Sequence, residues 1–142
     1  MLDSSQLSVG ALAVVSYRVQ LPRFIMTITL YGIPNCDTVK KARTWLAGQQ
    51  QDFVFHDFKK QGLTREIVAG WLQHLSRDVL VNRKGTTWRA LSDERKAAIV
   101  DDEAAIVLML ENPSVIKRPV LDNSGAFSVG FSDAQYQQIF NR

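Results

Sequence analysis

The stretch Thr27-Ile-Thr-Leu-Tyr-Gly-Ile-Pro-Asn-Cys-Asp-Thr-Val-Lys-Lys-Ala42 contains the change of periodicity that decides the fold. Ile28 and Leu30 alternate with Thr27, Thr29 and Tyr31, the period of two expected of a strand with one face in a core. Gly32 and Pro34 end that pattern. From Asp37 onward Val39, Ala42, Trp45 and Leu46 fall three or four apart, on one face of a helix. Asp37 and Thr38 offer it capping oxygens and Gly48 a stop. Cys36 stands at the junction, at the mouth of that helix. There the first backbone N–H groups have no partner within the helix and the dipole is positive, so thiolate is favoured over thiol.

Working outward, Asp52-Phe-Val-Phe-His-Asp-Phe58 reads as a second strand, rich in aromatic and apolar residues. A strand, a helix and a strand joined this way make a parallel pair with a right-handed crossover. Residues 63–111 read as mostly helical. Thr64 caps an apolar face of Ile67, Val68, Trp71, Leu72 and Leu75, with His74 a solvated member of that helix. The polar stretch Asn82 to Arg89 reads as a loop. Ser92 caps a short helix carrying Ala97, Ala98 and Val100. Asp101 and Asp102 begin a helix through Ile106, Met109 and Leu110 that stops at Asn112-Pro113. The period then returns to two: Val120-Leu121 and Ala126 to Val129 flank the hairpin turn Asp122-Asn-Ser-Gly125. Ser132 and Gln135 form a capping box for a last helix bearing Tyr136, Ile139 and Phe140. The order is β-α-β, a helical insertion, then β-β-α. It is the order of an α/β thioredoxin-like fold with a mixed four-stranded sheet and a reactive cysteine after the first strand.

Upstream, residues 1–25 look unlike the rest. The apolar run from Val9 to Val15 is short and no cationic segment precedes it, which argues against a secretory signal. The segment reads as an N-terminal extension, a flexible tail or a piece preceding a native start at Met26. Residues 26–142 then form one domain. The 142 residues carry 46% hydrophobic and 22% charged side chains, the balance of an ordinary globular protein with a core of useful size. A net charge of +3 with no long basic run argues against a nucleic-acid partner. No apolar run reaches about eighteen residues, so no membrane span is expected. Cys36 is the one cysteine, which excludes an internal disulfide and a multi-cysteine metal site, so no metal is expected. A free thiol suits a reducing compartment, and the cytoplasm is the expected location.

Tyr31-Gly-Ile-Pro-Asn-Cys-Asp-Thr38, Asn82-Arg-Lys-Gly-Thr-Thr-Trp-Arg89 and Ile116-Lys-Arg-Pro-Val120, in that order and spacing, resemble the arsenate reductase-like ArsC/Spx family. Within it, the likeness is greatest to the YffB-type glutathione-dependent thiol reductases, and it covers roughly Met26 to Phe140. The resemblance implies that Cys36 is the catalytic nucleophile. It implies that Arg83 and Arg118 bind an anion or glutathione, and that Pro119 borders the site through a cis bond. Asn35, Thr38, Lys40 and Arg89 are supporting positions. The chain departs from glutaredoxin-coupled arsenate reductases at two places. No arginine stands near Val129-Gly-Phe131, and Gly32 replaces the histidine that precedes their cysteine. Both departures weigh against arsenate as the substrate.

Val39 occupies the place of the second cysteine of a C-x-x-C motif, so an adduct on Cys36 must be cleared by an external thiol. Glutathione is the expected co-substrate, with glutaredoxin as a further partner, no bound cofactor, and a monomeric state. The reading is a monothiol reductase acting on an arsenate-like oxyanion or a mixed disulfide. Its rivals are a non-catalytic Spx-like regulator that binds RNA polymerase, and a glutathione-binding domain without turnover. His56 reads as structural, and Trp45, Trp71 and Trp88 as core or pocket-lining residues.

Overall fold

Ile28 and Leu30 lie buried on one face of strand β1 (Ile28–Gly32), while Tyr31 packs on the other. The computed structural model describes residues 27–140, so the extension expected over 1–25 lies outside the described residues. β1 is an inner strand of a four-stranded sheet in the order β2-β1-β3-β4. It runs parallel to β2 (Val54–Asp57) and antiparallel to β3 (Val120–Asn123), and β3 continues into β4 (Ala126–Val129) as a hairpin. The sheet is therefore mixed and the element order is the α/β, thioredoxin-like one expected. In the hairpin turn the Gly125 N–H donates to Asp122 Oδ1 at 2.8 Å.

Helix α1 (Asp37–Gly48) connects β1 to β2. With the C-terminal helix α8 (Asp133–Phe140) it covers one face, where Ala42, Leu46, Leu121 and Tyr136 surround Ile28 and Leu30. The helical insertion covers the opposite face, with Trp71, Leu80, Leu108, Met109, Ile116 and Val120 in its core. Among the described residues no helix is long and apolar enough to cross a membrane.

Several elements differ from their sequence reading. β2 ends at Asp57, because the Asp57 carboxylate accepts from the N–H of Lys59 (2.8 Å) and Lys60 (3.3 Å) and turns the chain into a short helix α2 (Phe58–Gln61). Phe58 thereby leaves the strand for the core beside Trp71. In the insertion, Thr64 caps α3 (Arg65–Leu72), and Ser76 caps a helix α4 (Arg77–Leu80) that periodicity did not show. The stretch read as the loop Asn82 to Arg89 contains a helix α5 (Thr86–Arg89). Four-residue helices are too short to display a 3.6-residue period. Ser92 caps α6 (Asp93–Ala97), leaving Val100 outside it and exposed, and Asp101 caps α7 (Asp102–Glu111). A short 3-10 turn (Pro113–Val115) follows. The capping box at Ser132 is half formed. Ser132 Oγ accepts from the Gln135 N–H at 3.1 Å, but the Gln135 amide donates to the Val129 carbonyl and ties α8 to β4.

The join between β1 and α1 is tight. A Cβ placed on Gly32 would stand 2.8 Å from Val39 Cγ2. Gly32→Ala should therefore cost about 1–3 kcal/mol of stability, measured by urea denaturation. In a Val39→Ala background the added methyl has room, so the same substitution should cost clearly less.

Candidate active site

Cys36 is itself the N-cap residue of α1, with extended backbone angles of φ −132° and ψ 125° and its carbonyl accepting from the Lys40 N–H. Asp37 and Thr38, expected as caps, fall inside the first helical turn because the backbone is already helical from Asp37. No side chain closes this end with a full cap hydrogen bond. The first-turn N–H groups are thus available to the sulfur. Burial pushes the half-buried thiol up, but the Val39 N–H, the Arg118 guanidinium and the Thr38 N–H together more than offset it. The net result is a Cys36 pKa below the ordinary thiol value.

Arg118 is held in place from below. Its Nη1 donates to the carbonyls of Ser114 (2.9 Å) and Ile116 (3.3 Å), which anchors the guanidinium to the chain leading into β3. The Arg118–Pro119 bond is cis. Pro119 is buried, and its carbonyl accepts from the Gly130 N–H at 2.9 Å. That bond brings the end of β4 against the site.

Cys36, Thr38, Asn82, Lys117, Arg118, Gly130 and Phe131 enclose a cleft of about 330 Å³. Of the residues singled out in the sequence, the cleft thus gathers Cys36, Thr38 and Arg118. Asn82 and Lys117 were not singled out, although each adjoins a residue that was. An antiparallel bridge between Val81 and Ile116 places them, with Asn82 N–H donating to the Val115 carbonyl and Lys117 N–H to the Leu80 carbonyl, both at 2.8 Å. This long-range pairing has no local sequence signal.

Arg83 lies in a neighbouring cleft. It pairs with Asp78 at 2.7 Å and places its guanidinium 5.3 Å from the Trp88 ring centre. Arg89 ends α5, and its carbonyl accepts from Lys96. Lys40 lines a third cleft with Lys41, Trp45 and Phe131, and Asn35 is exposed in the turn before Cys36. His56 Nε2 lies 2.7 Å from the Gly62 carbonyl, a structural contact. His74 falls beyond α3 and stacks on Phe127 with ring centres 4.7 Å apart, so its face is covered by an aromatic ring. Position 32, where the sequence lacks a histidine, has no space for a side chain beside Val39.

The sequence model of the ArsC family matches residues 31–139. A solved YFFB protein is 46% identical, with a TM-score of 0.74, over 79% of this chain and 97% of its own. An arsenate reductase (ArsC) related protein from Brucella melitensis is also 46% identical, with a TM-score of 0.67, over 82% of this chain and 97% of its own. The global transcriptional regulator Spx of Streptococcus pyogenes is similar at 25% identity, over 81% of this chain and 86% of the regulator.

Two outcomes test the electrostatics. Arg118→Ala should raise the midpoint of pH-dependent Cys36 alkylation by iodoacetamide, because the guanidinium favours the thiolate. The folded thiol titrates below the unfolded one, so the thiolate's contribution to stability is complete above the unfolded pKa and lost as pH falls through the folded pKa. Relative to Cys36→Ser, the protein should therefore gain urea resistance as pH rises across that window.

Proposed function

The chain belongs to the ArsC family, and on that premise we propose that it is a monothiol reductase with Cys36 as nucleophile and glutathione as reductant. The observation that supports this reading is the sulfur at an uncapped helix N-terminus beside Arg118, in a chain with no second cysteine. In the first step the Cys36 thiolate attacks one sulfur of a mixed disulfide. The old S–S bond breaks, the partner leaves as a thiolate, and a Cys36 disulfide forms. In the second step the thiolate of glutathione attacks the sulfur bonded to Cys36. A new external disulfide forms, and Cys36 leaves as a thiolate that the Val39 N–H and Arg118 favour. An arsenate-like oxyanion would take the same place, its negative charge facing Arg118 and Lys117. Glutaredoxin is a further candidate for clearing the adduct, and a cytoplasmic setting would keep the thiol reduced between turnovers.

The similarity to Spx favours a second reading, a regulator that binds RNA polymerase. Capture of the polymerase alpha subunit's C-terminal domain, without glutathione-dependent turnover, would support that reading over the enzyme. Binding of glutathione with no steady-state rate would reduce the domain to a carrier.

Cys36→Ser should abolish turnover of a glutathione mixed-disulfide substrate while leaving the circular dichroism spectrum unchanged. Full residual activity in that variant would sink the mechanism. Mass spectrometry after exposure to oxidised glutathione should show a single glutathionyl adduct per chain, on Cys36.

A further inference from the structure

Lys117 borders two clefts at once. One holds Cys36, Thr38 and Arg118, and the other holds Asp78, Arg83 and Lys84, with Asn82 also on both walls. The charges are distributed unevenly. Arg83 is neutralised by Asp78, whereas Lys117 has no carboxylate partner among the described residues. Arg118 is already engaged with two carbonyls and with the sulfur. The backbone of Lys117 is fixed by its bond to Leu80, and its side chain runs past Gly130. A side-chain carbon at Gly130 would stand 3.4 Å from Lys117 Cε. An exposed ammonium is thus stationed at the rim shared by the two clefts, within the same lining as the thiol.

We infer that Lys117 is a specificity-determining residue that takes the carboxylate of an anionic thiol or disulfide reacting at Cys36. The inference rests on the thiol-exchange reading above and adds the charge class of the partner. A partner whose sulfur reaches Cys36 can extend its carboxylate along the shared rim to the ammonium, while Arg118 stays with the sulfur. The exchange itself is unchanged: one S–S bond breaks, one forms, and the leaving sulfur departs as a thiolate.

The test is the second-order rate of Cys36 with three disulfides of different charge: oxidised glutathione (anionic), hydroxyethyl disulfide (neutral) and cystamine (cationic). Mixed-disulfide formation is read by mass spectrometry. Lys117→Ala should slow oxidised glutathione about fivefold, the scale of one solvent-exposed charge pair, and leave hydroxyethyl disulfide within about twofold. Lys117→Glu should turn the preference toward cystamine. Raising the salt concentration should erase the preference of the unchanged protein. An equal slowing of all three disulfides would mean that Lys117 acts on the thiol itself, and an unchanged preference would mean that it touches no partner. Either result overturns the inference and leaves the thiol-exchange reading standing. If Cys36 of the unchanged protein reacts with none of the three, that reading fails and the inference falls with it.

Discussion

The first turn of α1 presents backbone N–H groups that no side chain caps, and the residue in the cap position is a cysteine. A helix start ordinarily closes such groups with a Ser, Thr, Asp or Asn oxygen, worth about 1 kcal/mol. Elsewhere this chain does so with Thr64, Ser76, Ser92 and Asp101. At α1 the N–H groups of Val39 and Thr38 meet the sulfur instead, and they favour its charged form. The cost of an open helix end and the acidity of Cys36 are therefore one interaction seen from two sides. Its geometry depends on the contact of Val39 with Gly32, which sets the helix against the end of β1. It depends also on Arg118, which the carbonyls of Ser114 and Ile116 hold against the same sulfur.

The parts of this arrangement differ in how far the sequence reveals them. The strand–helix switch at Gly32 to Cys36 is carried by residues a few positions apart, and period and breakers suffice to read it. The same holds for the Ser and Asp caps of the insertion and for the hairpin at Asp122 to Gly125. That Cys36 holds the N-cap position was not legible, because Asp37 and Thr38 are better capping residues and only the backbone angles decide between neighbours. The insertion's short helices hid for want of length. Two members of the cleft, Asn82 and Lys117, were hidden for another reason. Asn82 and Lys117 reach Cys36 through the pairing of Val81 with Ile116, a contact between segments 35 residues apart in number. The family resemblance indicated the neighbourhood, Asn82 to Arg89 and Ile116 to Val120. The bridge brings Asn82 and Lys117 to one cleft, while Arg83 lies against Asp78 and Trp88.

The charge balance of the cleft changes during the proposed cycle, and it does so in a useful direction. Among the described residues its lining carries two cations, Lys117 and Arg118, one titratable thiol and no carboxylate. While Cys36 is a thiolate, it offsets one of those cations and has the negative charge needed to attack. Once it is bound in a disulfide the protein's own negative charge is gone, and no carboxylate among the described residues of the lining opposes either cation. The positive field therefore grows at the moment an anionic thiol must approach. An internal resolving cysteine would have no need of such a field, because its effective concentration is set by the chain. Here position 39 is a fully buried valine packed on Gly32, so in the proposed cycle the second thiol comes from solution. A cleft whose attraction for anions rises as the adduct forms suits a chain that keeps only one thiol of its own.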